Sequence, residues 1–148
     1  MKIIAQNKRA GFDFQLVEKF EAGLVLKGTE VKSLREGKVS LTDAFVSIDP
    51  QMEAWLLNMN IAHYAFGNLN NHEEVRKRKL LLKKSEIIKI FHQMKTQKLT
   101  VIATKIYFKD SLIKIEIALA KGKKHHDKRA DEKEKSVQKN LRRGQYDE

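Results

Sequence analysis

Four consecutive cations, Arg76-Lys77-Arg78-Lys79, are the densest chemistry in this sequence. Adjacent cations repel one another unless an anion approaches. Guanidinium groups grip a phosphate through paired hydrogen bonds, and lysine acts as a point charge. The run therefore reads as a phosphate-binding loop. It also admits a plainer reading, a solvated, lysine-guarded edge beside the apolar Leu80-Leu81-Leu82. A second basic group, Lys121, Lys123 and Lys124, surrounds Gly122, where a missing side chain lets the backbone approach a ligand. Its plainer reading is a flexible exit from the last strand. His125-His126 follow, with Asp127 the one carboxylate close by. That spacing completes no convincing metal or acid–base site, which leaves a ring stacked on a base, or a spectator. No P-loop, nucleophile elbow or dinucleotide glycine pattern occurs. Glu30, Glu36, Asp43 and Glu53 form no spaced pair fit for acid and base. The expectation is a binding protein with no catalytic residue, no metal and no cofactor.

The elements that must carry these residues are mostly strands. Phe14 to Glu18 and Ala22 to Lys27 are rich in Phe, Leu and Val; Ala44 to Ile48 and Glu53 to Ile61 are further candidates, joined by Asp49-Pro50-Gln51. Leu99 to Phe108 and Leu112 to Leu119 form the clearest hairpin. In its second arm Ile113, Ile115, Ile117 and Leu119 share one face, with Lys114 and Glu116 on the other. Between Gly28 and Gly37 the sequence predicts a short helix, with Thr29 as N-cap, Glu30 in the first turn, Val31 and Leu34 facing inward, and Gly37 in the left-handed position past the end. Ser85 opens a second helix whose apolar face is Ile87, Ile88, Phe91 and Met94. Asn7 to Asp13 reads as an extended arm, and His63 to Glu74 as a loop. Short strands without a strand–helix–strand rhythm indicate a mainly β fold: an OB-like antiparallel barrel of about six strands with two or three short helices.

Charge divides the 148 residues in two. Up to Ala120 there are 20 Lys/Arg against 13 Asp/Glu; from Lys121 to Glu148 there are 10 against 6, with almost no apolar residue. The net charge of +11 and a pI near 9.8 favour a polyanionic partner, nucleic acid before membrane. The second segment has too little apolar surface to offset its ordering entropy, so residues 121–148 are expected to be a basic tail, disordered when free, behind a barrel spanning residues 1–120. There is no cysteine, Met1 to Arg9 has no apolar core of a signal peptide, and no apolar run approaches the ~18 residues of a membrane span. A cytoplasmic location is the expectation.

Four ordered blocks then carry a resemblance: Phe20 to Arg35 (FEAGLVLKGTEVKSLR), Glu53-Ala54-Trp55-Leu56, Arg76 to Leu82 (RKRKLLL), and Ala120 to Lys124 (AKGKK) followed by Asp127-Lys128-Arg129. Over about Asn7 to Arg129 the chain resembles the SsrA-binding protein (small protein B) family. The resemblance implies an OB-like barrel that binds the tRNA-like end of transfer-messenger RNA (tmRNA). It further implies entry, with elongation factor Tu, into stalled ribosomes in trans-translation. It places RNA contacts at Asn7, Glu21, Leu81 and Lys83, with Arg76, Arg78 and Lys79 beside them, and at Lys121, Lys123 and Lys124. His126 matches a ring that stacks in the decoding centre, and Asp127, Lys128 and Arg129 match the start of a tail that lies in the empty mRNA path. Glu21 in that set makes sense as an acceptor for base amino groups or ribose hydroxyls; its plainer reading is a strand-edge carboxylate paired with a lysine. The chain departs from the family pattern at Gly11, Phe12, Glu74, Glu132 and Val137.

Two other classes compete. A general OB-fold single-strand binder or ribosome-associated factor wants a row of exposed aromatics; Trp55, Tyr64, Tyr107 and Phe108 form no obvious row. A histidine-dependent ribonuclease would need His126 with a lysine as its acid–base pair.

Overall fold

The computed structural model describes residues 1–66 and 71–122. Nine strands and three helices follow in the order β1 (Lys2–Gln6), α1 (Ala10–Asp13), β2 (Phe14–Leu24), α2 (Gly28–Arg35), β3 (Val39–Ser40), β4 (Phe45–Ile48), β5 (Ala54–Leu57), β6 (Asn60–Ile61), β7 (Arg78–Leu81), α3 (Lys84–Thr96), β8 (Thr100–Lys109) and β9 (Leu112–Gly122). Six of the strands form a closed antiparallel ring, β8-β4-β5-β7-β2-β9, with β9 returning to β8; β1 adds to β8 outside the ring, and β3 pairs with β6 separately. This is the expected OB-like barrel. Closure removes the open sheet edges that a flat sheet of these strands would present.

Alternation along the long strands explains the core. Ile115, Ile117 and Leu119 of β9, Val101, Ala103 and Ile106 of β8, and Leu80 of β7 enter one buried cluster with Leu34 of α2 and Ile90 of α3. The outward residues Ala118 and Ala120 are buried as well. Around Ala120, α1 lays Ala10 on Ile102, with Phe14 and Leu16 at the margin. Register slips by one residue at Ile4 in β1, Val17 in β2 and Thr104 in β8. Such bulges add the local twist that lets long strands bend around a small barrel.

Several elements differ from the sequence reading. The expected arm over residues 7–13 ends in a helical turn, because Asn7 Oδ1 accepts the Arg9 amide at 3.2 Å and Arg9 O accepts the Asp13 amide at 2.9 Å. The two strands expected over 14–27 are one, continued through the Val17 bulge. The expected strand over 53–61 is two, broken where Asn58 takes φ 65°. Lys2–Gln6 is a strand that the sequence reading left unassigned.

The helices start on carboxylates rather than hydroxyls. Glu30 accepts the Lys27 amide at 2.8 Å and Glu86 accepts the Lys83 amide at 3.0 Å, each in the third helical position. Thr29 is engaged elsewhere: its hydroxyl meets His72 Nδ1 at 2.8 Å. Gly37 takes the expected left-handed conformation, φ 76°. On α3 the buried side is Ile90, with Ile87, Phe91 and Met94 partly covered; Ile88 stands 51% exposed on the flank and leaves the predicted apolar face. Among the described residues no helix is long and apolar enough to cross a membrane.

Candidate nucleic-acid interface

The four-cation run divides by strand alternation. Arg76, Arg78 and Leu80 turn inward, and Lys77, Lys79 and Leu81 outward. Arg78 is fully buried. Its Nε donates to Glu30 Oε2 at 2.7 Å, and its Nη1 to Met59 O at 2.6 Å and Arg76 O at 3.1 Å. Arg76, 22% exposed, grips the same carboxylate through Nε at 2.9 Å and Nη2 at 2.7 Å. Burial pushes the Glu30 carboxyl up, but Arg76, the Lys27 amide and Arg78 hold it below the usual glutamate value. Burial also lowers the Arg78 guanidinium, against Glu30, which raises it. The expectation that Arg78 touches a phosphate is therefore corrected. Its donors are satisfied inside the protein, and it fastens β7 to α2. The neighbouring His72 does similar work. Its Nε2 lies 2.9 Å from Ile61 O, which can only accept, so Nε2 donates there, and Nδ1 lies 2.8 Å from the Thr29 hydroxyl.

The outward cations meet different partners. Lys77 lies over the Trp55 ring, 4.4 Å from its centroid. Trp55 Nε1 donates to Asp49 Oδ2 at 2.9 Å, which fixes the ring plane. Lys79 pairs with Glu53 at 3.2 Å, a surface bridge with both side chains about two-fifths exposed. Lys83 is exposed where α3 begins.

Glu21 lies on the outer face of β2, at one end of a continuous row. It stands opposite Glu116 on β9, Glu116 stands opposite Lys105 on β8, and Lys105 opposite Gln6 on β1. Two carboxylates directly across a ladder repel. The repulsion is relieved separately on each side. Glu116 accepts the Thr104 hydroxyl at 2.6 Å, with Lys19 and Lys105 each at 3.8 Å. Glu21 accepts the Tyr107 hydroxyl at 2.5 Å, with Lys109 at 3.3 Å. The Tyr107 bond is the main influence holding the Glu21 carboxyl below its ordinary value, against a smaller upward push from burial. Burial first, then Glu21, moves the Tyr107 phenol upward. Two residues along β2, Gly23 lies between Leu81 on β7 and Lys114 on β9. A Cβ at position 23 would meet Leu81 at 3.4 Å, an ordinary van der Waals contact, and Leu81 remains 54% exposed beside it.

One outer face thus brings together Glu21, Leu81 and Lys79 with Lys19, Lys105, Lys109 and Lys114. Asn7 lies at its far margin, just past Gln6. Its backbone N–H donates to Thr104 O at 2.7 Å, its Nδ2 reaches Leu41 O and Ala103 O at 3.4 Å each, and its Oδ1 accepts the Arg9 amide at 3.2 Å. Arg76 and Arg78 belong to the barrel end beneath α2. Lys121 is exposed near the end of β9, opposite Gln15. That strand continues to Gly122, two residues past the expected boundary at Ala120. Lys123, Lys124, His126, Asp127, Lys128 and Arg129 lie outside the described residues. Sequence reasoning missed Tyr107 and Lys109 as neighbours of Glu21. Tyr107 is an outward position with an almost fully buried ring, which strand alternation alone does not reveal.

A closed OB-like barrel whose lysine-rich outer face also carries the Glu21–Glu116 pair and the exposed Leu81 defines a nucleic-acid-binding class of protein. The model of the SmpB protein family matches residues 4–146, and the chain belongs to that family. It is 51% identical over 140 residues to the SsrA-binding protein of Geotalea uraniireducens (strain Rf4), covering 95% of this chain and 92% of that one. It is 50% identical over 143 residues to the SsrA-binding protein of Thermosipho melanesiensis, covering 96% and 97%. A solved structure described as "tmRNA-SmpB: a journey to the center of the bacterial ribosome" matches with a TM-score of 0.69 and 42% identity over 90% of this chain and 93% of that one.

Proposed function

We propose that this protein binds the tRNA-like domain of tmRNA and delivers it to stalled ribosomes for trans-translation. Membership of the SmpB family over nearly the whole chain carries this reading. The barrel is the RNA-holding part. Cations on the β2-β9-β8 face and Lys79, Lys83 and Lys121 supply affinity through phosphate, while Glu21 and Leu81 meet groups that phosphate-binding alone would not select. The segment from Lys123, with His126, Asp127, Lys128 and Arg129, enters the small-subunit decoding region and the empty mRNA path. Elongation factor Tu joins indirectly, through charged tmRNA. The protein acts in the cytoplasm by binding and placement, without catalysing a reaction itself.

The test is reconstituted translation of an mRNA that lacks a stop codon, with charged tmRNA supplied. The full chain releases the stalled ribosomes and tags the nascent peptide. A chain ending at Gly122 retains tmRNA binding and loses tagging. Joint loss of both activities would place recognition in the tail and overturn the division of labour.

A further inference from the structure

The Glu21 carboxylate raises a question of aim. It is 38% exposed, and Lys19 and Lys114 share its face beside Lys109. A free carboxylate there would be drawn to whichever ammonium lay nearest. It is instead held from behind. Tyr107 is 3% exposed, so its ring is fixed by packing, and its hydroxyl donates to Glu21 Oε2. Lys109, 55% exposed, is the solvent-side partner, 3.3 Å from Oε1 and 3.4 Å from Oε2. Tyr107 thus occupies Oε2 from the protein side, and on the exposed side Lys109 spans both oxygens, leaving Oε1 without a protein partner other than that lysine.

We propose that Tyr107 is a positioning residue for RNA selectivity: its buried hydroxyl aims Glu21 Oε1 at a hydrogen-bond donor of the RNA, an exocyclic amino group of an unpaired base or a ribose 2′-hydroxyl. This rests on the RNA-binding reading of the barrel face given above. The chemistry follows from what a carboxylate accepts. Phosphate oxygens at neutral pH offer it no proton and are repelled, whereas base amino groups and 2′-hydroxyls donate. On a face where several lysines attract any polyanion, one aimed carboxylate sets a condition that a generic backbone does not meet. Lys109 can turn its ammonium to a phosphate when the donor takes its place. The same Tyr107 bond holds the Glu21 carboxyl below its ordinary value.

The test uses the full chain and three variants, Tyr107→Phe, Glu21→Gln and the double substitution, with Lys109→Ala as a control that leaves the Tyr107 bond in place. Binding to tmRNA and to a structured RNA of equal length is measured across a salt series, after circular dichroism confirms the fold. Loss of a hydrogen bond to a charged acceptor corresponds to about tenfold or more. Glu21→Gln is expected to lower the preference for tmRNA by about tenfold. Tyr107→Phe should lower it by a similar factor, with the salt slope unchanged because no cation is lost. The double variant should be no worse than Glu21→Gln alone, since both act through one carboxylate. A full preference in Tyr107→Phe beside a loss in Glu21→Gln would overturn the positioning role and leave the RNA-binding reading intact. Equal preference in all variants would overturn it too, and move recognition off Glu21. Additive losses in the double variant would make Tyr107 an independent contributor and overturn the proposal. Absence of any tmRNA preference in the unmodified chain would be a failure of the broader reading.

Discussion

Glu30 and Arg78, 48 residues apart, meet at 2.7 Å with neither side chain exposed. The bond joins the first turn of α2 to the start of β7, and Arg76 completes it on the solvent side. Removing one partner of a buried ion pair leaves an uncompensated charge, at a cost of about 3–5 kcal/mol. Glu30→Ala and Arg78→Ala should each lose stability on that scale by urea denaturation. The double variant should lose clearly less than their sum. Full additivity would mean that the pair is not coupled.

The same carboxylate links stability to acid. Its folded value lies below the ordinary 4.5, so folding favours the ionised form. Its contribution is complete above the unfolded value and disappears as pH falls through the lower folded one. Urea stability of the unmodified chain should fall steeply below about pH 4.5. In Glu30→Gln the baseline should be lower and the acid slope shallower. An unchanged slope would assign acid sensitivity to other carboxylates, of which Asp49, also lowered, is the first candidate.

Lys79 and Lys114 project from the proposed RNA face, whereas Arg78 does not. Replacing either lysine with alanine should weaken binding to tmRNA and to an unrelated structured RNA alike, and should reduce the salt slope by about one. Loss of tmRNA preference in these variants would mean that they contribute to recognition of sequence or shape rather than to phosphate attraction.

On α3, Ile90 is fully buried and Ile88 is half exposed. Ile90→Ala should cost about 2–5 kcal/mol, and Ile88→Ala no more than about 0.5 kcal/mol, by chemical denaturation. Comparable losses would place the helix in a different rotation against the barrel.

Trp55 is the single tryptophan, so its emission reports its setting. Its indole N–H donates to Asp49, and Lys77 covers one face. Asp49→Ala should release the ring and shift emission to the red. An unchanged spectrum would show that the hydrogen bond does not hold the ring.

Much of the barrel is legible because strands with one face inward alternate. Ile113 to Leu119 carry the period of two openly, and the β8–β9 hairpin follows the sequence reading. Closure of the ring is not legible, since it depends on β9 meeting both β2 and β8 around two bulges that have no sequence mark. The basic run shows a missed use of the same rule. Its alternation separates Arg76 and Arg78 from Lys77 and Lys79, as Leu80 and Leu81 confirm with 2% and 54% exposure. The buried acid that draws the arginines inward is distant in sequence, so composition suggested one phosphate cluster where the fold makes two settings, a buried pair on Glu30 and two outward lysines. Glu21 was reached through resemblance; its hold on Tyr107 needed the fold, because 86 residues separate the two.

The central claim is that the barrel face around Glu21 selects tmRNA independently of the basic tail. The most direct measurement is binding of tmRNA, against a structured competitor of equal length, by the full chain, by a chain ending at Gly122, and by Glu21→Gln. The account predicts strong preference in the first two and a reduced preference in the third. Preference lost on truncation and unaffected by Glu21→Gln would contradict it.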